Sequence, residues 1–396
     1  MLPTFSLFDG DLVNRTFGWL GMRSRRTTGV VGRCVTLVVL TWVPMALLAW
    51  KGGLFSAHIE ARNFFADYAA YGQFLVAMPL FVIAERIVLV NTREAALDFL
   101  RTGVVEPANY ADVGRIHLQV RQRSTGVLPE VACIVIAYWL AYMTFRPEFV
   151  GTSTAVTWHT TEGADGVHRL TGAGWWALLV ALPLLNYWWL RLAWKIAVWT
   201  AYLRRMSRLP LHLVASHPDQ TGGIGFVSEV QAKFALVLFA YGVSNVAAVI
   251  AYKVGIEGAS LAEPPVWGPA IGFVVIAPAL FTLPLLMFTR QLNRAKRRAI
   301  AAYREHAHRH ARLFEARWLR GEAPEGPLDV PEVSGLNNVA AMFTRITQMR
   351  VVPFDLRSFT QLMASTLGSV ATALPIVRLD ASLKDWLDLG ARLLGR

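Results

Sequence analysis

The chain has 396 residues, 54% of them hydrophobic and 17% charged, with a formal net charge of +12. Soluble domains carry about 25% charged residues, so the composition excludes an ordinary soluble protein and makes lipid the main solvent of the chain. The positive excess, mostly arginine, belongs to loops that orient a membrane protein, and nucleic-acid binding is not the reading it supports.

The N-terminal segment, MLPTFSLFDGDLVNRTFGWLGMRSRR, has no apolar core followed by a small-residue cleavage site, so no removable signal peptide is expected. Residues 1–33 read as a cytosolic lead-in. Six apolar runs follow: Cys34–Trp50, Phe64–Ile83, Val127–Phe145, Trp175–Leu190, Phe234–Tyr252 and Trp267–Thr289. Each is close to the length that crosses hydrocarbon. A helix satisfies its own backbone polar groups, so these runs are expected as helices. Residues 34–289 therefore form a six-span region, with a cytosolic loop at 205–233. A weaker seventh run, Phe359–Ile376, is diluted by Thr360, Ser365, Thr366, Ser369 and Thr372. It reads either as a further span or as a re-entrant or surface-lying segment. The expected fold is an all-α polytopic transmembrane bundle of about seven spans.

Loop charge alternates along the chain. Arginines crowd the N-terminal segment (Arg15, Arg23, Arg25, Arg26, Arg33), the loop after span two (Arg93, Arg101, Arg115, Arg121, Arg123), the loop after span four (Arg204, Arg205, Arg208) and the stretch after span six. The intervening loops are poor in base. This alternation places the N-terminus and the basic loops in the cytosol.

Residues 290–358 read as a cytosolic helical region. Tyr303, Ala307, Ala311, Phe314 and Trp318 recur at helical spacing, and Val339, Met342, Phe343, Ile346 and Met349 mark a second amphipathic helix. Residues 359–396 hold the seventh run and a tail, Ser382–Leu394, with the pattern of an interfacial helix.

Three groups of residues could carry function. The first is the loop SHPDQTGGIGF, with His217, Pro218, Asp219, Gly222, Gly223 and Gly225. A glycine-rich turn that opens a helix can present amides to an anion, whereas a turn Asp commonly bonds its own backbone. No Gly-Lys-Ser/Thr follows and no βαβ unit surrounds it, so nucleotide-binding motifs are excluded. The second group is charge placed at one depth on different spans: Glu85, Arg86, Glu130, Arg191, Lys195, Glu229 and Arg290. Such residues line a charged cytosolic mouth if they face a cavity, and otherwise snorkel to water. The third is the segment at which the chain re-enters the membrane, with Pro353, Asp355 and Arg357. His306 and His310 share a helix face without a third ligand, and Cys34 and Cys133 lie in apolar runs. No metal, cofactor or catalytic set is expected.

HPDQTGGIGF together with MRVVPFDLR resembles a widespread group of bacterial polytopic inner-membrane proteins with an HPDxxGGxGF loop and a later VPFD segment. The resemblance implies a bacterial inner-membrane location. It also implies that His217, Pro218, Asp219, Gly222, Gly223, Pro353 and Asp355 act jointly. It attaches no settled activity. Three functions follow as expectations: a channel-like or transporter-like conduit with a charged mouth, first; a scaffold or sensor recruiting a cytosolic protein, second; a membrane-embedded enzyme, third. The bilayer and further copies of the chain are the expected partners.

Overall fold

The computed structural model describes residues 18, 27–54, 64, 67–124, 126–150, 157–162, 168–255, 259–260, 263–318, 320 and 330–373. They form an all-α membrane bundle. Six helices are long and apolar enough to cross a bilayer. In chain order these are α1 (Thr27–Lys51), α2 (Tyr68–Arg101), α4 (Val127–Val150), α5 (Gly172–Met206), α6 (Gly225–Val254) and α7 (Pro264–Thr282). Between α2 and α4 lies α3 (Tyr110–Ser124), which packs on α5. A short hairpin, β1 (Thr160–Glu162) against β2 (His168–Leu170), precedes α5. A 3-10 segment, Leu283–Phe288, joins α7 to α8 (Thr289–Trp318). Helix α9 (Val330–Gln348) returns along α8, and α10 (Leu356–Ala371) closes the described chain. The tail at Ser382–Leu394 lies outside the described residues.

The most deeply buried span is α6, whereas α4 packs mainly on α5 and turns Val131, Val135 and Trp139 outward. An outward apolar face is stable in lipid, because hydrocarbon exerts no hydrophobic drive against it.

Three spans contain a π-helical turn, and local chemistry explains each. The turns at Gly72–Ala77 and Ala177–Ala181 are followed by Pro79 and Pro183. Proline lacks the N–H and its ring crowds the carbonyl four residues back, so the preceding turn widens. The turn at Gly242–Ala247 has no proline. There Ser244 Oγ and Asn245 Nδ2 donate to the Tyr241 carbonyl at 3.2 and 3.3 Å, competing with the backbone ladder. The Ser244 carbonyl is free to accept from Gln73 Nε2 at 2.9 Å, which ties α2 to α6. The 3-10 segment holds Pro284 in its first turn, where a missing N–H leaves no helical hydrogen bond unmade.

The seventh run is a bundle helix, not a surface helix. Ser358 lies beside Ser228 at the start of α6, Ser365 donates to Ala235 O, and Ser369 touches Gly242. At the far end Thr372 Oγ1 is 2.6 Å from Tyr68 Oη. Helix α10 thus runs beside α6 in the same direction for 16 residues, about 24 Å at 1.5 Å per residue. Its hydroxyls are spent on carbonyls: Thr366 on Met363, Ser369 on Thr366, Thr372 on Ser369. The polar face is therefore a packing seam, and it makes the segment weakly apolar in sequence.

At Gly242 the seam admits no side chain, because an added Cβ would overlap Ser369 Oγ and approach Phe273. Gly242→Ala is expected to cost about 1–3 kcal/mol, read as a lower melting temperature of the purified protein. Adding Ser369→Gly should recover part of that loss, and a double variant no more stable than the single one would place the strain elsewhere.

Candidate functional site

The end of α5 is followed by a loop, Ser207–Ile224, that folds on itself around one carboxylate. Asp219 Oδ1 accepts from the Thr221 amide at 2.8 Å, Oδ2 accepts from the Gly225 amide at 2.9 Å, and the Gly223 amide lies within 3.2 Å of both oxygens. His217 Nδ1 stands 2.8 Å from Asp219 Oδ1. To bring three amides onto one side chain the backbone must pass through left-handed conformations, at Gln220 (φ 57°), Gly222 (φ 71°) and Gly223 (φ 95°). Glycine enters that region freely. The last amide, that of Gly225, is the first of α6, so Asp219 also neutralises the positive end of that helix. Half-burial alone would push the Asp219 carboxyl up. The bonds from Thr221, Gly225 and Gly223 together outweigh this and hold it below its ordinary value of 3.8.

Gly222 also lets the loop seat its neighbours. A Cβ there would lie 3.2 Å from Leu213 Cβ and from Met349 Cε. Met349, Leu292 and Ile346 are buried. The Arg350 amide donates to Gln220 O at 2.7 Å, and Lys296 Nζ donates to Met349 O at 2.7 Å. Gln291 Nε2 donates to Ser207 O and Leu209 O at 2.6 and 2.8 Å. Asp355 takes Arg350 Nη1 at 3.1 Å, while its amide donates to Ser228 Oγ at 3.3 Å. The HPD loop and the VPFD segment are therefore two halves of one joint. It clamps the root of α8 and the start of α10 onto the start of α6. Pro353 is buried in the joint, while Pro218 and Arg357 are exposed.

The charges at membrane depth divide. Glu85 on α2 meets Arg191 Nη1 at 2.9 Å and also pairs with Lys195 Nζ; all three side chains are buried. Arg191 lies 5.4 Å from the Trp188 ring centroid. Glu130, also buried, joins Arg191, Lys195, Cys133 and Tyr187 around a space of 10 Å³, room for about one water molecule. Two acids thus face two bases, and the formal charge of the group is zero. Arg86 is half-buried, while Glu229 and Arg290 are exposed. Among the described residues no ion pair joins these three to the cluster. They share its depth but not its face.

A layer of rings lies beyond the cluster on the joint side. Phe99, Trp199, Tyr202 and Phe288 are fully buried. Phe99 packs edge-on to Phe226 at 4.9 Å, and Trp199 stacks on Tyr202 at 5.5 Å. Phe99 and Tyr202 lie further along α2 and α5 than Glu85 and Lys195, so this aromatic layer sits between the charges and the joint.

Sequence reasoning missed several polar contacts. Arg33, counted there among loop charges, is buried on α1. Asp67 accepts from Trp158 Nε1 at 2.6 Å and from the Ala69 amide at 2.8 Å, pinning the β-hairpin side of the bundle. His117 on α3 is buried; desolvation, and then Arg121, push its imidazole down to about 4. An isolated Asp, Trp or His in a loop carries no spacing signal. His306 and His310 approach ring to ring at 4.6 Å, and among the described residues no group of three metal-ligating side chains occurs.

No family model, curated protein or solved structure matches this chain.

Two outcomes test this geometry. Asp219→Asn weakens the charged hydrogen bonds and is expected to lower stability by about 1–3 kcal/mol at neutral pH. Because the folded carboxyl titrates below its ordinary value, its contribution is complete above that value and fades as pH falls through the folded pKa. The stability gap between wild type and variant should therefore narrow below about pH 4; a gap constant from pH 7 to pH 3 would count against the network. Separately, Glu85→Gln leaves two buried cations facing Glu130 alone and should cost about 3–5 kcal/mol. Adding Lys195→Met should restore much of that, and a double-mutant cycle with purely additive losses would sink the account.

Proposed function

We propose that this protein is an inner-membrane scaffold whose basic arm recruits an acidic cytosolic protein. The observation that carries this reading is α8. It runs for 30 residues past the last apolar turn, about 45 Å. Glu305 and Glu315 are its only acids, against arginines at 290, 294, 297, 298, 304, 309, 312 and 317. Helix α9 packs back along it, with Tyr303 Oη 3.7 Å from Met342 Sδ and Ile346 buried. The joint described above fixes the root of this hairpin to three spans.

A conduit is the less supported role. The cluster that suggested a charged mouth is self-neutralised, and fully buried rings lie between it and the joint. The HPD carboxylate is occupied by its own backbone, which also weakens an enzymatic role. The concentration of arginine on the joint side supports a cytosolic placement of the arm and of the N-terminus.

The test combines topology and contact in living bacteria. A reporter fused after Arg320 should read cytosolic. A photo-crosslinking residue at position 308 should give one discrete protein adduct, lost in the Arg304→Gln/Arg309→Gln/Arg312→Gln variant while that variant stays monodisperse. An external readout of the reporter would overturn the proposal. So would solute flux through liposomes carrying the purified protein together with no adduct in cells.

A further inference from the structure

A second basic feature lies at the root of the arm. Loop 208–215 stands off the first turns of α8 and leaves a groove of about 740 Å³ between them, within the range of small-ligand sites. Helical spacing puts Gln291, Arg294, Ala295, Arg298 and Ala299 on one face of α8, and all five line the groove. Arg208 lines it from the loop, so three arginines border one groove from two elements. All three are exposed, and among the described residues none of them pairs with a carboxylate. Like charges one turn apart on a helix repel each other, and Arg208 adds a third cation to Arg294 and Arg298. A multiply charged anion in the groove removes that repulsion.

The rest of the lining selects the body of the ligand. Leu211, Leu213, Ala295 and Ala299 make it largely apolar. The two other polar side chains that line it, Gln291 and His212, are engaged. Gln291 Nε2 donates to the carbonyls of Ser207 and Leu209, and its Oε1 is buried. His212 Nδ1 stands 3.2 Å from Glu106 Oε1. Gln291 also fixes the width of the groove, because it ties the root of α8 to the chain entering loop 208–215. Such a lining offers few partners to the hydroxyls of a sugar or the polar edge of a base, and it suits a hydrocarbon.

We infer that this groove binds an organic diphosphate with a hydrocarbon body, its phosphates held by Arg208, Arg294 and Arg298 and its body laid on the leucines and alanines. Charge decides the number of phosphates. A phosphodiester brings about one negative charge to the three cations, whereas a diphosphate monoester at neutral pH brings about three. The diphosphate also offers more oxygens than a single phosphate to guanidinium groups, which bind them in forked pairs. The site is separate from the outer half of α8 that carries the proposed recruitment, and it holds whether or not that recruitment occurs.

The experiment uses the full chain purified in an uncharged detergent. Geranyl diphosphate is titrated in while thermal stability is followed, and native mass spectrometry counts the molecules retained. A short soluble ester and a long chain anchored in the bilayer share this chemistry, so a long-chain polyprenyl diphosphate is titrated in parallel. Saturable stabilisation with one molecule bound is expected from at least one of the two esters, and the tighter names the source. Inorganic diphosphate, adenosine diphosphate and dioctanoyl phosphatidylglycerol should each bind at least about tenfold more weakly. Arg208→Gln should lower the affinity for the ester about tenfold, the usual effect of losing one charge-assisted hydrogen bond, and Arg294→Gln/Arg298→Gln should lower it further. The Arg309→Gln/Arg312→Gln variant should bind as wild type does. Saturation by neither ester would overturn the inference. So would unchanged affinity in Arg208→Gln, which would mark partition into the micelle, or an equal loss in the outer-arm variant. Inorganic diphosphate or adenosine diphosphate binding as tightly as the ester would remove the hydrocarbon body, and phosphatidylglycerol doing so would remove the diphosphate; either defeats the assignment. If the double variant is not monodisperse, Arg208→Gln alone decides.

Discussion

Asp219 accepts from the amides of Thr221, Gly223 and Gly225, and that network decides where three distant stretches of chain can go. It bends the loop back so that Gly222 faces Met349 and Leu292, and so that the Gln220 carbonyl points at the Arg350 amide. With the backbone bonds from Gln220 N–H to His217 O and from Val214 N–H to Gly222 O, the three bonds hold Gln220 and both glycines at positive φ. The position of α8, the turn into α10 and the first turn of α6 all follow from this small cradle. A carboxylate so fully occupied has little capacity left for a ligand. The same chemistry that makes the segment conspicuous in sequence makes it structural in space.

Inside the bundle the dominant constraint is the cost of charge in hydrocarbon. Glu85, Arg191, Lys195 and Glu130 meet it by gathering four formal charges into a neutral group. Arg191 is 15 residues beyond Trp176, roughly 22 Å along the helix, which places the group near the joint-side edge of a slab about 30 Å thick. Isolated buried pairs contribute little to stability and can instead define which partners may pack together. Here the pairing requires α2, α4 and α5 to hold one register. The ring layer of Phe99, Trp199, Tyr202 and Phe288 then completes the packing on the joint side.

How much of this the sequence revealed differs from element to element, for physical reasons. The six long spans were legible because twenty apolar residues in a row have few other fates. The length of α8 was legible from its periodicity. By contrast, α3 was not recognised, since YADVGRIHLQVRQRS is largely polar and its few buried positions, such as Val113, His117 and Val120, make a faint stripe. Depth could be estimated from position along a span, so Glu85, Glu130, Arg191 and Lys195, which meet in the structure, were grouped together. Angle about the helix axis could not, so Glu229 and Arg290 were grouped with them although they face outward. The contact between the HPD loop and the VPFD segment was implied only by resemblance, because residues some 130 positions apart leave no local pattern of their meeting.

The joint also determines how the arm can work. Its root is held at Gln291, Lys296, Leu292 and, through Met349 and Arg350, at the returning strand of chain. Toward its outer end the contacts thin, and Arg309–Glu305 is an exposed pair within one helix. Local stability follows contact density, so the base of the arm belongs mechanically to the spans, while its outer half is held by fewer contacts.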